Sequence, residues 1–281
     1  MIASVPPLLQ TVYEEVTQRL SVAPPLVWVN DQPTQEDLDH ILKEGSTPSE
    51  FDSNNLRKEM LDALQSFQAT LITRTSKYAK VLAIVYPGQE SSIPWDLFGK
   101  IFTAFGPSKS KRLWRFIWFA NPAPRELPAA GQQAVAEHMN GGYTYPCDPS
   151  AIVVYREEEV VRVLIHEMLH AACTDSPTDM LELKEAKTET WAEIFLVAIL
   201  AAGRPRIFAK LWQIQAQWIA DQEYVLMTDH GVKGPLDYAW RYTLGRRMVL
   251  EGLGYQLPPA SMDPRAALAG SMRFTSPELF S

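Results

Sequence analysis

His166, Glu167 and His170 fall within five residues of one another in the stretch VVRVLIHEMLHAACTD, residues 160–175. Their neighbours are Val, Leu, Ile, Met and Ala, so polar groups placed among them need partners or cost free energy. On a helix, residues four apart lie one turn above each other on one face. Both imidazoles then reach a single ion at the usual zinc–nitrogen distance of about 2.0–2.1 Å. Glu167 follows the first histidine directly and stands beside the ion, off the ligand row. That position suits a base that takes a proton from activated water. The pattern His-Glu-x-x-His arises by chance in roughly one chain of this length in a hundred. Two histidines and a glutamate on an apolar helix are therefore read as a metal site rather than as ordinary core residues.

A catalytic zinc takes three protein ligands and keeps one open position. The next helical stretch, LELKEAKTETWAEIFLVAIL (residues 181–200), offers Glu185, Glu189 and Glu193 in a stripe spaced by four. A solvated acidic face is the plain reading of such a stripe. It fails for Glu193, whose neighbours are Trp191, Ala192, Ile194 and Phe195. A buried carboxylate without a partner costs on the order of several kcal/mol, which a cation and an imidazole N–H would offset. Glu189 is accordingly expected as the third ligand. Glu193, one turn on, is expected to orient a ligand histidine by accepting its ring N–H. Exchanged roles for these two, or Glu185 as the ligand, remain open.

The elements that must position these groups follow from periodicity and punctuation. PPLLQTVYEEVTQRL and FDSNNLRKEMLDALQSFQATLI read as two helices. KVLAIVYPG reads as a buried strand, IPWDLFGKIFTAFG as a helix closed by Gly106, and KRLWRFIWFANP as a second strand; strand, helix, strand suggests a parallel crossover. PAAGQQAVAEHMNGG is expected to be a short helix and SAIVVYR a third strand. The helix bearing the histidines is expected from about Glu157 to Cys173, and the acidic one from about Thr178 to Ala202. IFAKLWQIQAQWIADQEYVL and PLDYAWRYTLGRRMVLEGLG read as two further helices. The fold class is α+β, a small mixed β-sheet followed by a helical half. Residues 1–125 are expected to form a helical segment and a βαβ-like unit, 126–255 the metal-bearing core, and 256–281 a C-terminal extension. That extension would wrap over the body or contact a protein partner.

HEMLH, then an interval of eighteen residues, then Glu189 resembles the gluzincin group of zincin metallopeptidases, the class of thermolysin and the zinc aminopeptidases. The resemblance covers roughly residues 140–245. The metzincin pattern needs a glycine and a third histidine soon after the second, and AACTDS supplies neither. The Gly-x-Met-x-Asn segment of the aminopeptidases is missing too, which puts exopeptidase activity in doubt. The longer pattern ELP, NGGYT, IVVYREEEVVRVLIHEMLHA and ETWAE is similar to a family of zincin-like proteins found in large DNA viruses and some other viruses. The gluzincin resemblance implies a strand ahead of the zinc helix that pairs with substrate backbone, for which AIVVYR is the counterpart. It also implies a Tyr or His that donates to the developing oxyanion. Tyr242 is the first choice and Tyr238 the second, with His230 and Arg241 behind them.

The remaining features bound the function. A formal net charge of −7 argues against a nucleic-acid binder working through a general basic surface. The short basic clusters Lys109–Arg115 and Arg241–Arg247 read as solvated faces. Two cysteines, Cys147 and Cys173, make no disulfide framework; free thiols are the favoured expectation, with a single bridge between them left open. No signal peptide is read at the N-terminus, and the longest apolar run, IFLVAILAAG, is too short to span a bilayer. The expected setting is cytoplasmic or virion-associated. The leading expectation is a zinc-dependent metalloendopeptidase acting on a peptide or protein. The alternative is a catalytically inert zincin-fold structural or capsid-associated protein that keeps zinc for folding. A plugged site would favour the latter, closed by the C-terminal segment or by Cys147 as a thiolate ligand.

Overall fold

The computed structural model describes residues 6–281. The absence of a signal peptide, expected above, falls partly on residues 1–5, outside the described residues. Among the described residues no helix is long and apolar enough to cross a membrane. The fold is α+β, as expected. The chain divides into two compact units that interleave along the sequence: Arg19–Pro124 with Asn140–Thr174, and Met1–Gln18 with Arg125–Met139 and Asp175–Ser281. Neither unit coincides with the ranges 1–125 and 126–255, because the strands and helix of 142–171 complete a sheet begun far earlier in the chain.

The first unit is built on one mixed sheet. Its strands are β1 (Val29–Asn30), β2 (Thr70–Thr75), β3 (Ala79–Val85), β4 (Trp114–Phe119), β5 (Gly142–Thr144) and β6 (Ile152–Val154), in the spatial order β1-β2-β3-β4-β6-β5. β3 and β4 are parallel and joined through helix α4 (Trp95–Phe105), the expected crossover. Their nearly continuous apolar runs match strands covered on both faces. β6 pairs parallel to β4, and β5 turns back antiparallel on β6. Ile41, Leu61, Leu82, Ile84, Phe119 and Val153 form a core on one side of the sheet.

Three expectations are corrected here. The helix expected to reach Ile72 ends at Gln65 (α3, Leu56–Gln65). Phe67 takes a left-handed backbone (φ 60°), and the Gln68 and Ala69 amides both donate back to Ala63 O. Past that turn, TLITRT carries the β-branched alternation of a strand and becomes β2. A helix not expected, α2 (Gln35–Ser46), starts at a capping box in which Thr34 and Asp37 exchange side-chain and backbone hydrogen bonds. PLDYAWRYTLGRRMVLEGLG is not one helix. It is a short 3-10 turn, Tyr238–Tyr242, followed after Thr243 by another helix, Leu244–Gly252.

The second unit is mainly helical. α5 is the short Ala136–Met139, and α6 (Val160–Ala171) belongs to the sheet unit. α7 (Leu181–Ala201), α8 (Pro205–Asp229), α9 (Leu244–Gly252) and α10 (Pro264–Leu268) follow. Gly245 of α9 meets α7 so closely that a β-carbon there would stand 2.7 Å from the Ala186 β-carbon. The C-terminal extension wraps on its own unit. Trp218 Nε1 and Gln222 Nε2 of α8 donate to Arg273 O, and Gln215 Nε2 donates to Phe274 O. Met272, Phe274 and Leu279 are buried.

Candidate metal centre

All twelve residues of α6 are buried. Such a helix is apolar on every side where sequence permits, and the polar groups it does carry are enclosed with it. His166 is 6% exposed, Glu167 5% and His170 9%. The helix begins after Glu159, which takes a left-handed backbone, so Glu157 and Glu158 precede it rather than forming its first turn. The expected one-turn stacking of the histidines is present: His166 Nε2 and His170 Nε2 are 3.2 Å apart. Two nitrogens bound tetrahedrally to one zinc at about 2.05 Å would be separated by about 3.3 Å. A separation of that size is compatible with both Nε2 atoms reaching one divalent ion.

Glu167 faces β5. A β-carbon at Gly142 would lie 3.2 Å from Glu167 Oε1, 2.7 Å from Val163 Cγ1 and 2.8 Å from Val153 O. The backbone of β5 therefore lies directly against the glutamate, at a position where only glycine fits. In the sequence the NGGYTY stretch reads equally as one wall of a cleft or as a plain turn, and the contact of Gly142 with Glu167 is not legible there. β5 is also the end strand of the sheet, whereas β6 is paired on both edges, by β4 and β5. The expected AIVVYR is thus interior to the sheet, and β5 is the end strand on that side. Tyr143 of β5 anchors that edge: its hydroxyl donates to Glu44 Oε2 (2.6 Å) and accepts from Arg57 Nη1. Burial, with the Glu44 hydrogen bond, holds the phenol well above its ordinary range.

The expectation of free thiols is corrected. Cys147 and Cys173 are joined in a disulfide, their α-carbons 4.6 Å apart. The pair is 26 residues apart in sequence, with a hairpin and a helix between, and no local pattern reports the approach. A half-cystine is not a thiolate, so Cys147 in this state is no zinc ligand.

On α7 the acidic stripe points as its spacing predicts. Glu185 is half-buried, while Glu189 and Glu193 are buried. Glu193 has a partner that sequence reasoning missed: Arg246 of α9 donates to its Oε1 in a fully buried ion pair. The same guanidinium donates to Gln222 Oε1 and to Thr243 O. An arginine in GRRMVLEGLG reads as surface charge, and only the close packing at Gly245 carries it inward. Tyr238 and Tyr242 lie together, ring centroids 5.4 Å apart. Tyr242 is buried with Met272 and Phe274. Burial first, then the neighbouring Glu185 carboxylate and Tyr238, keep its hydroxyl well above the ordinary tyrosine range. It therefore stays a protonated donor at neutral pH. Of the weaker candidates, His230 shares a hydrogen bond with Gln132 O through Nδ1, and Arg241 reaches Glu182 at 3.5 Å and stacks on Tyr238.

Comparison of the chain with protein-family models, with curated proteins and with solved structures finds no match.

Proposed function

We propose that this protein is a zinc-dependent metallopeptidase cleaving within peptide or protein chains. The observation that carries the reading is the pair of buried imidazoles whose Nε2 atoms stand 3.2 Å apart, with Glu167 next to the first of them. His166 and His170 would hold the ion. Glu185, the acid held open above as the alternative to Glu189, would supply the third ligand. Zinc bound there would supply Lewis-acid activation of water and of the scissile carbonyl. Glu167 accepts the proton of the attacking water on its carboxylate and returns it to the leaving amine. Tyr242, protonated and beside Glu185, is the donor for the developing oxyanion, with Tyr238 holding its hydroxyl. The outer edge of β5 orients the substrate backbone as an added strand.

The burial of the whole of α6 favours one second reading, an inert zincin-fold protein in which zinc serves folding. A cytoplasmic or virion-associated setting goes with either reading. The disulfide suits the virion better than a reducing cytoplasm.

The test is metal analysis of the full chain together with a peptide-library digest. One zinc per chain is expected, lost in His170→Ala and kept in Glu167→Gln, with cleavage abolished in both. Glu185→Gln and Glu189→Gln decide the third ligand, since the true ligand costs zinc affinity and the other does not. Zinc retained in His170→Ala would refute the site. Cleavage by Glu167→Gln would refute its role, and zinc without cleavage in the parent chain would leave the inert reading standing.

A further inference from the structure

We propose that the Cys147–Cys173 disulfide is a redox control on the metal site, closed for tight metal binding and opened by a dithiol. The inference rests on the metal reading above. Its first observation is where the bridge sits. Cys173 lies three residues beyond His170, and its amide donates to His170 O at 3.0 Å. The Cys147 amide, from the segment between β5 and β6, donates to the same carbonyl at 3.1 Å. Both half-cystines thus close on the backbone of one metal-ligand candidate, and the bridge ties that backbone to the β5–β6 segment.

The second observation is access. Cys147 is exposed and Cys173 half-buried, so an attacking thiolate can reach the bridge from solvent. Both residues also take left-handed backbones, φ 65° and 60°, which residues with side chains seldom adopt unless held there.

The chemistry is ordinary thiol–disulfide exchange. A thiolate of the dithiol attacks Cys147 Sγ and the Cys147–Cys173 bond breaks, leaving Cys173 as a thiolate that takes up a proton. The second thiolate of the reductant then displaces Cys147, which is also protonated. Two electrons and two protons reach the protein, and the reductant leaves as its disulfide. After opening, the Cys147 N–H to His170 O remains as a hydrogen-bonded tie between the segment 145–149 and the end of α6. The covalent constraint on the 26-residue span is gone. Metal affinity depends on ligand position to fractions of an ångström, and losing the outer support of a ligand typically lowers it ten- to a hundredfold.

The experiment measures zinc affinity of the full chain by chelator competition, before and after reduction with a phosphine, which binds zinc weakly. Cys147→Ser/Cys173→Ser is measured alongside, and far-UV circular dichroism is followed in every state. The expected result is a ten- to hundredfold loss on reduction with helix content unchanged, and a double variant that matches the reduced protein and ignores phosphine. Equal or tighter binding after reduction overturns the proposal. So does a loss of affinity that tracks a loss of helix, since the bridge would then be a general staple. Absence of zinc binding in the oxidised protein overturns the metal reading itself, and is thereby distinct from the other outcomes.

Discussion

Gly142 leaves no room for a side chain beside Glu167: a β-carbon at position 142 would stand 3.2 Å from Glu167 Oε1 and 2.8 Å from the backbone oxygen of Val153. The edge strand and the proposed general base are thereby set against each other without an intervening side chain. Gly142→Ala is expected to cost about 1–3 kcal/mol from overpacking and to lower hydrolysis tenfold or more, while zinc stays stoichiometric. Val163→Ala added to it removes the closest clash, at 2.7 Å, and should restore stability more than activity. Denaturant melts and turnover of both variants check this. Full turnover in Gly142→Ala would show that Glu167 tolerates displacement.

Tyr242 and Tyr238 differ in burial and so in expected effect. Tyr242 is enclosed with Met272 and Phe274, and Phe at 242 keeps that packing while removing one hydroxyl. Loss of an oxyanion donor typically costs about 10²–10³ in kcat. Tyr242→Phe should fall in that range with zinc affinity unchanged, and Tyr238→Phe should lose less. Steady-state kinetics decide between them, and unchanged kcat in Tyr242→Phe would remove it from the mechanism.

Arg246 and Glu193 form a buried pair on α9 and α7. Removing one member strands the other's charge, at a cost of about 3–5 kcal/mol. Arg246→Ala should therefore unfold at markedly lower denaturant than the parent, and Arg246→Met/Glu193→Leu should recover much of the difference. A single variant within about 0.5 kcal/mol of the parent, the range of ordinary surface changes, would mean the pair is not buried in solution.

Glu223 gives the fold a pH dependence. Burial pushes its carboxyl up from 4.5 to about 7, against the pull of Arg247. The folded state then holds a proton that the unfolded chain releases near 4.5. Its contribution is present below that value and is lost as pH rises through about 7. At about 1.4 kcal/mol per pKa unit, the parent should lose on the order of 3 kcal/mol relative to Glu223→Gln between pH 4.5 and pH 8. Urea melts of both proteins at the two pH values test this, and parallel profiles would show that the carboxyl is not shifted.

What the sequence by itself determined was local. The four-residue spacing of His166 and His170, the glutamate beside the first, and the inward turn of Glu189 and Glu193 are consequences of helical period and apolar neighbours, and the structure has each of them. The crossover from β3 through α4 to β4 was legible for the same reason, as continuous apolar runs broken by a glycine-closed helix. The tertiary structure alone decided the rest. Arg246 lies 53 residues from Glu193, Cys173 lies 26 from Cys147, and β5 takes the sheet edge that the sequence reading had left to β6. Each depends on which surfaces meet after the chain has folded back. Residue type and spacing carry no record of that meeting, because an arginine, a cysteine or a glycine is equally at home in a solvent-facing turn.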